Sequence, residues 1–146
     1  MGLLASFFPF CWRDEPLMAL EIPSLLITDD DRAFRETLRE VFEPRGFRTL
    51  LASDGQEALE IVQRQAVHLL LVDMHMPRLT GLEMVGRMRE SRIELPCILV
   101  SAALDDAIVE EAKQRNVFSV LAKPVRFSQI TATVSEAMRL TYDWPR

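Results

Sequence analysis

The sequence predicts an α/β fold, a three-layer α/β/α sandwich in which helices cover both faces of a five-stranded parallel sheet. Three observations carry this expectation. From Ile22 onward, short apolar runs alternate with stripes of helical period. The runs are apolar throughout, without the polar alternation of a half-exposed sheet, so both of their faces must be covered. Turn and cap residues mark each changeover.

Taken in order, Leu25-Leu26-Ile27 is the first strand, and Phe34, Leu38, Val41 and Phe42 recur at offsets of four, seven and eight along the first helix. Pro44-Arg45-Gly46 ends it. Phe47 to Leu51 is the second strand, and Ser53 and Gln56 have capping-box spacing ahead of a helix that turns Ala58, Leu59, Ile61 and Val62 inward. The third strand is Leu69-Leu70-Leu71-Val72. Thr80 and Glu83 form a second capping-box pair, opening a helix with Leu82, Val85 and Met88 inward. Cys97 to Val100 is the fourth strand, Leu104, Ile108 and Ala112 stripe the fourth helix, and Ser119-Val120-Leu121 is the fifth strand. Ser128 is placed to cap a last helix carrying Ile130, Val134 and Met138.

The chain has 146 residues, enough for one domain with one core, and its 17 Lys plus Arg against 22 Asp plus Glu leave a net charge of -5. That balance argues against direct nucleic-acid or anionic-membrane binding by bulk electrostatics. Two cysteines, Cys11 and Cys97, make no disulfide framework, and Cys97 falls in a buried strand, which fits a reduced, cytoplasmic setting. The apolar stretch from Leu3 to Trp12 lacks the basic flank of a signal peptide and is about half the ~20 residues of a transmembrane helix. Met1 to Ser6 matches a myristoylation pattern too short to carry weight. Residues 1–21 have two readings. Phe7, Phe8, Phe10 and Trp12 suit a segment that docks on a partner or touches a membrane; otherwise translation starts at Met18.

Polar residues gather where the strands end. Asp29, Asp30 and Asp31 follow the first strand after Thr28, Asp73 follows the third, Ser101 the fourth, and Lys123-Pro124 the fifth. In a parallel sheet these positions share one edge, where the functional crevice lies. Singly, each is an ordinary turn or cap. Together, the carboxylates repel one another and need a cation or a lysine to compensate, and an all-oxygen cluster suits Mg²⁺. Lys113 and Lys123 are the only lysines among the 17 Lys plus Arg, so a compact ammonium sits at Lys123 in a chain that otherwise uses arginine.

In these residues, namely Leu25 to Asp31, Ala52 to Leu59, Leu71 to Pro77 with Gly81, Leu99 to Ala102 and Leu121 to Pro124, the sequence resembles the receiver domain of two-component response regulators. The resemblance runs from about Ile22 to Leu140. It implies a flavodoxin-like sheet of strand order 2-1-3-4-5, with residues 22–142 as a stand-alone receiver and none left for an output domain. Asp73 is then the phospho-acceptor. Mg²⁺ is bound by Asp29, Asp30, Asp73 and the backbone carbonyl of His75, Ser101 is the switch hydroxyl, and Lys123 contacts the phosphoryl group. The implied partners are a sensor histidine kinase or histidine phosphotransfer protein upstream. Downstream, a protein target docks on the face of the fourth helix, fifth strand and fifth helix; a homodimer is compatible.

Three departures from the family pattern matter. Val120 replaces the usual aromatic three residues before the lysine, and Asn116 replaces a turn glycine. His75 and Ala103 stand two residues past the acceptor and the switch hydroxyl; there His75 could overhang the phosphoryl group and modulate attack by water, or be a plain turn histidine. His68 and Met74, Met76, Met84 and Met88 are read as packing. Two other functions stay in view: a phosphorylation-independent binding module of the same fold, and a Mg²⁺-dependent phosphatase using Asp29 and Asp31.

Overall fold

A computed structural model describes residues 22–145. The elements run β1 (Ser24–Thr28), α1 (Arg32–Phe42), β2 (Arg48–Ala52), α2 (Gly55–Arg64), β3 (Leu69–Asp73), α3 (Gly81–Glu90), β4 (Cys97–Ser101), α4 (Asp106–Gln114), β5 (Ser119–Ala122) and α5 (Phe127–Tyr142). Every strand pairing is parallel, and the sheet order is β2-β1-β3-β4-β5, as expected. Residues 1–21, with the alternatives for that segment, lie outside the described residues.

β1, β3 and β4 are buried along their whole length, which is why they read as unbroken apolar runs. Alternate residues feed two cores. Leu26, Leu70, Val72, Cys97 and Leu99 pack under α2 and α3 with Leu82, Val85 and Met88. Leu25, Ile27, Leu69, Leu71, Ile98 and Val100 pack against Leu38 and Phe42 of α1 and Ile130, Val134 and Met138 of α5. Met76, Met84 and Met88 are buried core residues and Met74 packs against them, as the packing reading holds. Cys97 is a buried free thiol whose pKa burial pushes up to about 12.

Local chemistry sets the element ends, and some ends differ from expectation. Thr80 and Glu83 form the full reciprocal capping box at α3. At α2 the cap is Asp54, one residue later than the expected Ser53, and its carboxylate accepts from the Glu57 N–H, while the Glu57 carboxylate accepts from the Ser53 N–H and hydroxyl and not from the cap's own N–H. Leu104 precedes α4 and is exposed, because Asp105 caps the helix after it. Arg126, with no side-chain bond, stands at the N-cap of α5, so Ser128 lies inside the helix. Past α1, Glu43–Arg45 form one 3₁₀ turn before Gly46 reverses the chain at φ 97°. Asn116 takes the left-handed conformation at φ 57°, the role its replacement of glycine predicts.

Candidate functional site

The shared register of the parallel strands brings Thr28, Val72 and Asp73, Val100 and Ser101, and Ala122 to one level, so the residues that follow them meet at the carboxyl edge. Carboxylate oxygens of Asp29, Asp30 and Asp73 lie within 4.8 Å of one another. Asp29 and Asp73 are buried, with side chains 3% and 5% exposed; Asp30 is exposed. Lys123 reaches across from β5, its Nζ 3.0 Å from Asp29 Oδ2 and 3.5 Å from Asp73 Oδ1.

These charges are unequal in comfort. Burial, reinforced by the charge of Asp29, holds the Asp73 carboxyl above its ordinary pKa of 3.8, and the Lys123 ammonium only partly offsets this. Burial also works against the Lys123 ammonium, but its hydrogen bond to Asp29 and the charges of Asp29 and Asp73 outweigh that and keep it above the ordinary lysine value. A hard cation beside the three acids would relieve the strain that one lysine leaves, and the all-oxygen donor set fits Mg²⁺.

Asp31, third in the acidic run, is used differently. Its carboxylate caps α1, accepting from the Ala33 and Phe34 N–H groups at 3.0 and 3.3 Å. The phosphatase reading needs Asp29 and Asp31 as a working pair, and that cap occupies the second member. Ser101 is fully buried at the end of β4. Its Oγ accepts from the Ala103 N–H at 3.2 Å and lies 3.2 Å from His75 Nε2. Val120 is half-buried on the α3 side of the sheet, paired with Leu99.

Three contacts of the site carry no sequence signal strong enough to find them. Arg35, one turn into α1, donates to the Asp29 carbonyl at 2.6 Å and fixes the backbone of the first acid. The Phe34 ring, read as part of a core stripe, lies 5.1 Å from Lys123 Nζ and gives the ammonium an aromatic floor. The His75 to Ser101 contact joins the loop after β3 to the end of β4. A fourth feature is spatial. A Cβ at Gly81 would come within 2.6 Å of the Asp73 carbonyl oxygen and 2.8 Å of Leu99 Cδ1, so only glycine lets α3 start against the backbone of Asp73.

A parallel sandwich whose carboxyl edge holds three acids, a bridging lysine and a buried hydroxyl is the architecture of a phosphoryl-accepting signalling domain. The chain belongs to the response regulator receiver domain family, whose family model matches residues 25–135. It is 35% identical over 119 residues to response regulator MprA of Mycobacterium leprae, an alignment covering 80% of this chain and 51% of that protein. To sporulation initiation phosphotransferase F of Bacillus subtilis it is 31% identical over 116 residues, covering 80% of this chain and 94% of the relative. Among solved structures, the receiver domain of Francisella response regulator 1452 superposes with a TM-score of 0.77 at 27% identity, covering 82% of this chain and 98% of that one. The chain thus spans about half the length of MprA and nearly all of the sporulation phosphotransferase.

Proposed function

We propose that this chain accepts a phosphoryl group on Asp73 from the phosphohistidine of a sensor kinase or phosphotransfer protein, and that Asp29, Asp30, Asp73 and the His75 backbone carbonyl hold Mg²⁺ beside it. The observation that carries the reading is Lys123, whose ammonium bridges Asp29 and Asp73 and so marks where a dianionic group would be neutralised. Bound there, Mg²⁺ supplies further neutralisation of the transferring group. An Asp73 oxygen attacks phosphorus, the bond from phosphorus to the donor imidazole nitrogen breaks, and an acyl phosphate forms. Lys123 contacts a phosphoryl oxygen, and Ser101 shifts to donate its hydroxyl proton to another.

The signal then leaves through protein contacts on the α4–β5–α5 face. Two observations support that surface. Ala112 is the one fully buried residue of α4, so the helix is lightly held, and Leu104, just ahead of α4, and Phe127, the first residue of α5, are 38% and 43% exposed. The likeness to a sporulation initiation phosphotransferase supports a place in a phosphorelay. No helix among the described residues is long and apolar enough to cross a membrane; with one buried thiol among them, this supports a reduced, cytoplasmic setting. The role is that of an acceptor with slow self-hydrolysis, not a turnover enzyme.

Incubation with acetyl phosphate and Mg²⁺, followed by intact mass measurement in acid, tests the reading. One phosphoryl adduct per chain, absent in Asp73→Asn, is the expected result. No adduct from acetyl phosphate or from a phosphorylated histidine donor favours a phosphorylation-independent binding module. Multiple turnover that is lost in Asp29→Asn favours the phosphatase.

A further inference from the structure

The ring of His75, two residues past Asp73, is held against Ser101. Met74 N–H donates to the Val100 carbonyl at 2.8 Å, so β3 and β4 stay paired up to the point where both chains leave the sheet. That pairing delivers His75 beside Ser101. His75 is exposed, yet its Nε2 lies 3.2 Å from a hydroxyl oxygen that has no exposure of its own.

A serine hydroxyl has one proton and two lone pairs. One lone pair takes the Ala103 N–H, 3.2 Å away. The ring takes either the proton or the second lone pair, according to its tautomer. In either case the oxygen is tied to two groups, and moving it toward a phosphoryl group on Asp73 breaks the bond to the ring. The hydroxyl proton that would serve the phosphoryl oxygen is thereby contested or held out of position.

We propose that His75 is a latch on the switch hydroxyl, a positioning residue that holds Ser101 Oγ in the resting arrangement and must release it when Asp73 carries a phosphoryl group. The proposal rests on the phospho-accepting reading of Asp73 given above. The latch couples two loops that a phosphoryl group joins in any case: the β3–α3 loop, which carries the acceptor's neighbours, and the β4–α4 loop, which moves with Ser101. Releasing the bond draws on the binding energy of the phosphoryl group, so the latch lowers its apparent affinity. It also sets a threshold, because Ser101 stays with the ring until the competing acceptor is present. His75 contributes its carbonyl to the proposed cation site, and a side-chain truncation leaves that carbonyl in place.

The test uses Mg²⁺ with beryllofluoride, a mimic of the acyl phosphate, titrated by fluorine NMR into the wild type, His75→Ala, Ser101→Ala and the double variant. One net hydrogen bond corresponds to a change of about two- to tenfold in affinity. His75→Ala is therefore expected to bind beryllofluoride about two- to tenfold more tightly than the wild type, and to lose that advantage when Ser101 is also Ala. In the wild type, the Nε2 nitrogen resonance of His75 is expected to move on saturation toward its position in Ser101→Ala. Unchanged or weaker binding by His75→Ala, an equal effect of the truncation in both Ser101 backgrounds, or an unmoved ring resonance overturns the latch alone. A wild-type chain that binds no beryllofluoride overturns the phospho-accepting reading, and the latch with it.

Discussion

The two edges of the sheet are built on opposite terms. At the carboxyl edge, two buried carboxylates share one lysine, and Asp73 is left with its ionised form disfavoured. At the amino edge the polar groups are matched. The Ser24 N–H donates to His68 Nδ1 at 2.9 Å, and the Tyr142 hydroxyl, at the end of α5, donates to the His68 carbonyl at 2.7 Å. Aromatic rings close this end, with Trp144 against Phe47 at 4.9 Å and Tyr142 against His68 at 5.7 Å between centroids. Groups that tie the fold together and groups that strain it are thus kept at opposite ends of the strands. The fold is tied off at one end, which leaves the other free to hold buried charges that one lysine does not fully balance.

If that contrast is right, changes at the two edges should move stability and phosphorylation independently. The largest effect belongs to Lys123→Met, which strands the buried Asp29 and Asp73 carboxylates without a cation and should lower stability by about 3 kcal/mol in urea unfolding. The Lys123 pKa is raised, so its contribution is present throughout the neutral range and is lost only as pH climbs past the ordinary lysine value of 10.5; the measurement at neutral pH reads it in full. Added Mg²⁺ should recover part of the loss. Trp144→Ala comes next. Stripping the ring from Phe47 and from the Gly46 turn should cost about 2 kcal/mol, while the adduct formed with acetyl phosphate stays stoichiometric.

Asp73→Asn should do the reverse of Trp144→Ala, abolishing the adduct and making the fold more stable. Because the folded pKa of Asp73 is raised, its favourable contribution is complete below the ordinary value of 3.8 and is lost as pH rises through the raised value. Removing the charge should therefore add about 1 kcal/mol at neutral pH, and the gain should vanish below the ordinary carboxylate range. A pH series of thermal melts checks the sign. The smallest effect is expected of Tyr142→Phe, which deletes one hydrogen bond at the quiet edge and should cost about 0.5–1 kcal/mol without altering the phosphoryl adduct.

How much of this was legible in the sequence follows from how far each feature reaches along the chain. Strands such as Leu69 to Val72 and helix stripes such as Leu38 and Phe42 are short-range patterns, and burial on both faces of the sheet writes them plainly. The acids and Lys123 are legible for a related reason, since the end of a strand is a fixed position in a parallel sheet. Caps are less legible, because Ser53 and Asp54 are both competent and the winner depends on where Glu57 folds back. The apolar Leu104 extends a helical period in the sequence, but Asp105 starts the helix after it. Phe34 under Lys123, Arg35 on the Asp29 carbonyl and His75 on Ser101 need three-dimensional packing to be seen. The last joins residues 26 apart, a loop residue and a strand end with no shared periodicity that would announce it.

Gly81 has a consequence for how a signal can travel. Its missing side chain seats the first turn of α3 on the Asp73 carbonyl, and its N–H donates to the Met74 carbonyl at 3.0 Å, so the main chain at Asp73 is clamped between a helix end and the centre of the sheet. A residue gripped in this way works as an anvil. On the proposed role of Asp73, a phosphoryl group landing on its side chain would meet a strand that cannot recoil, and the displacement would pass to neighbours that can yield: the loop after Ser101, the lightly held α4, and the turn after β5 that carries Lys123.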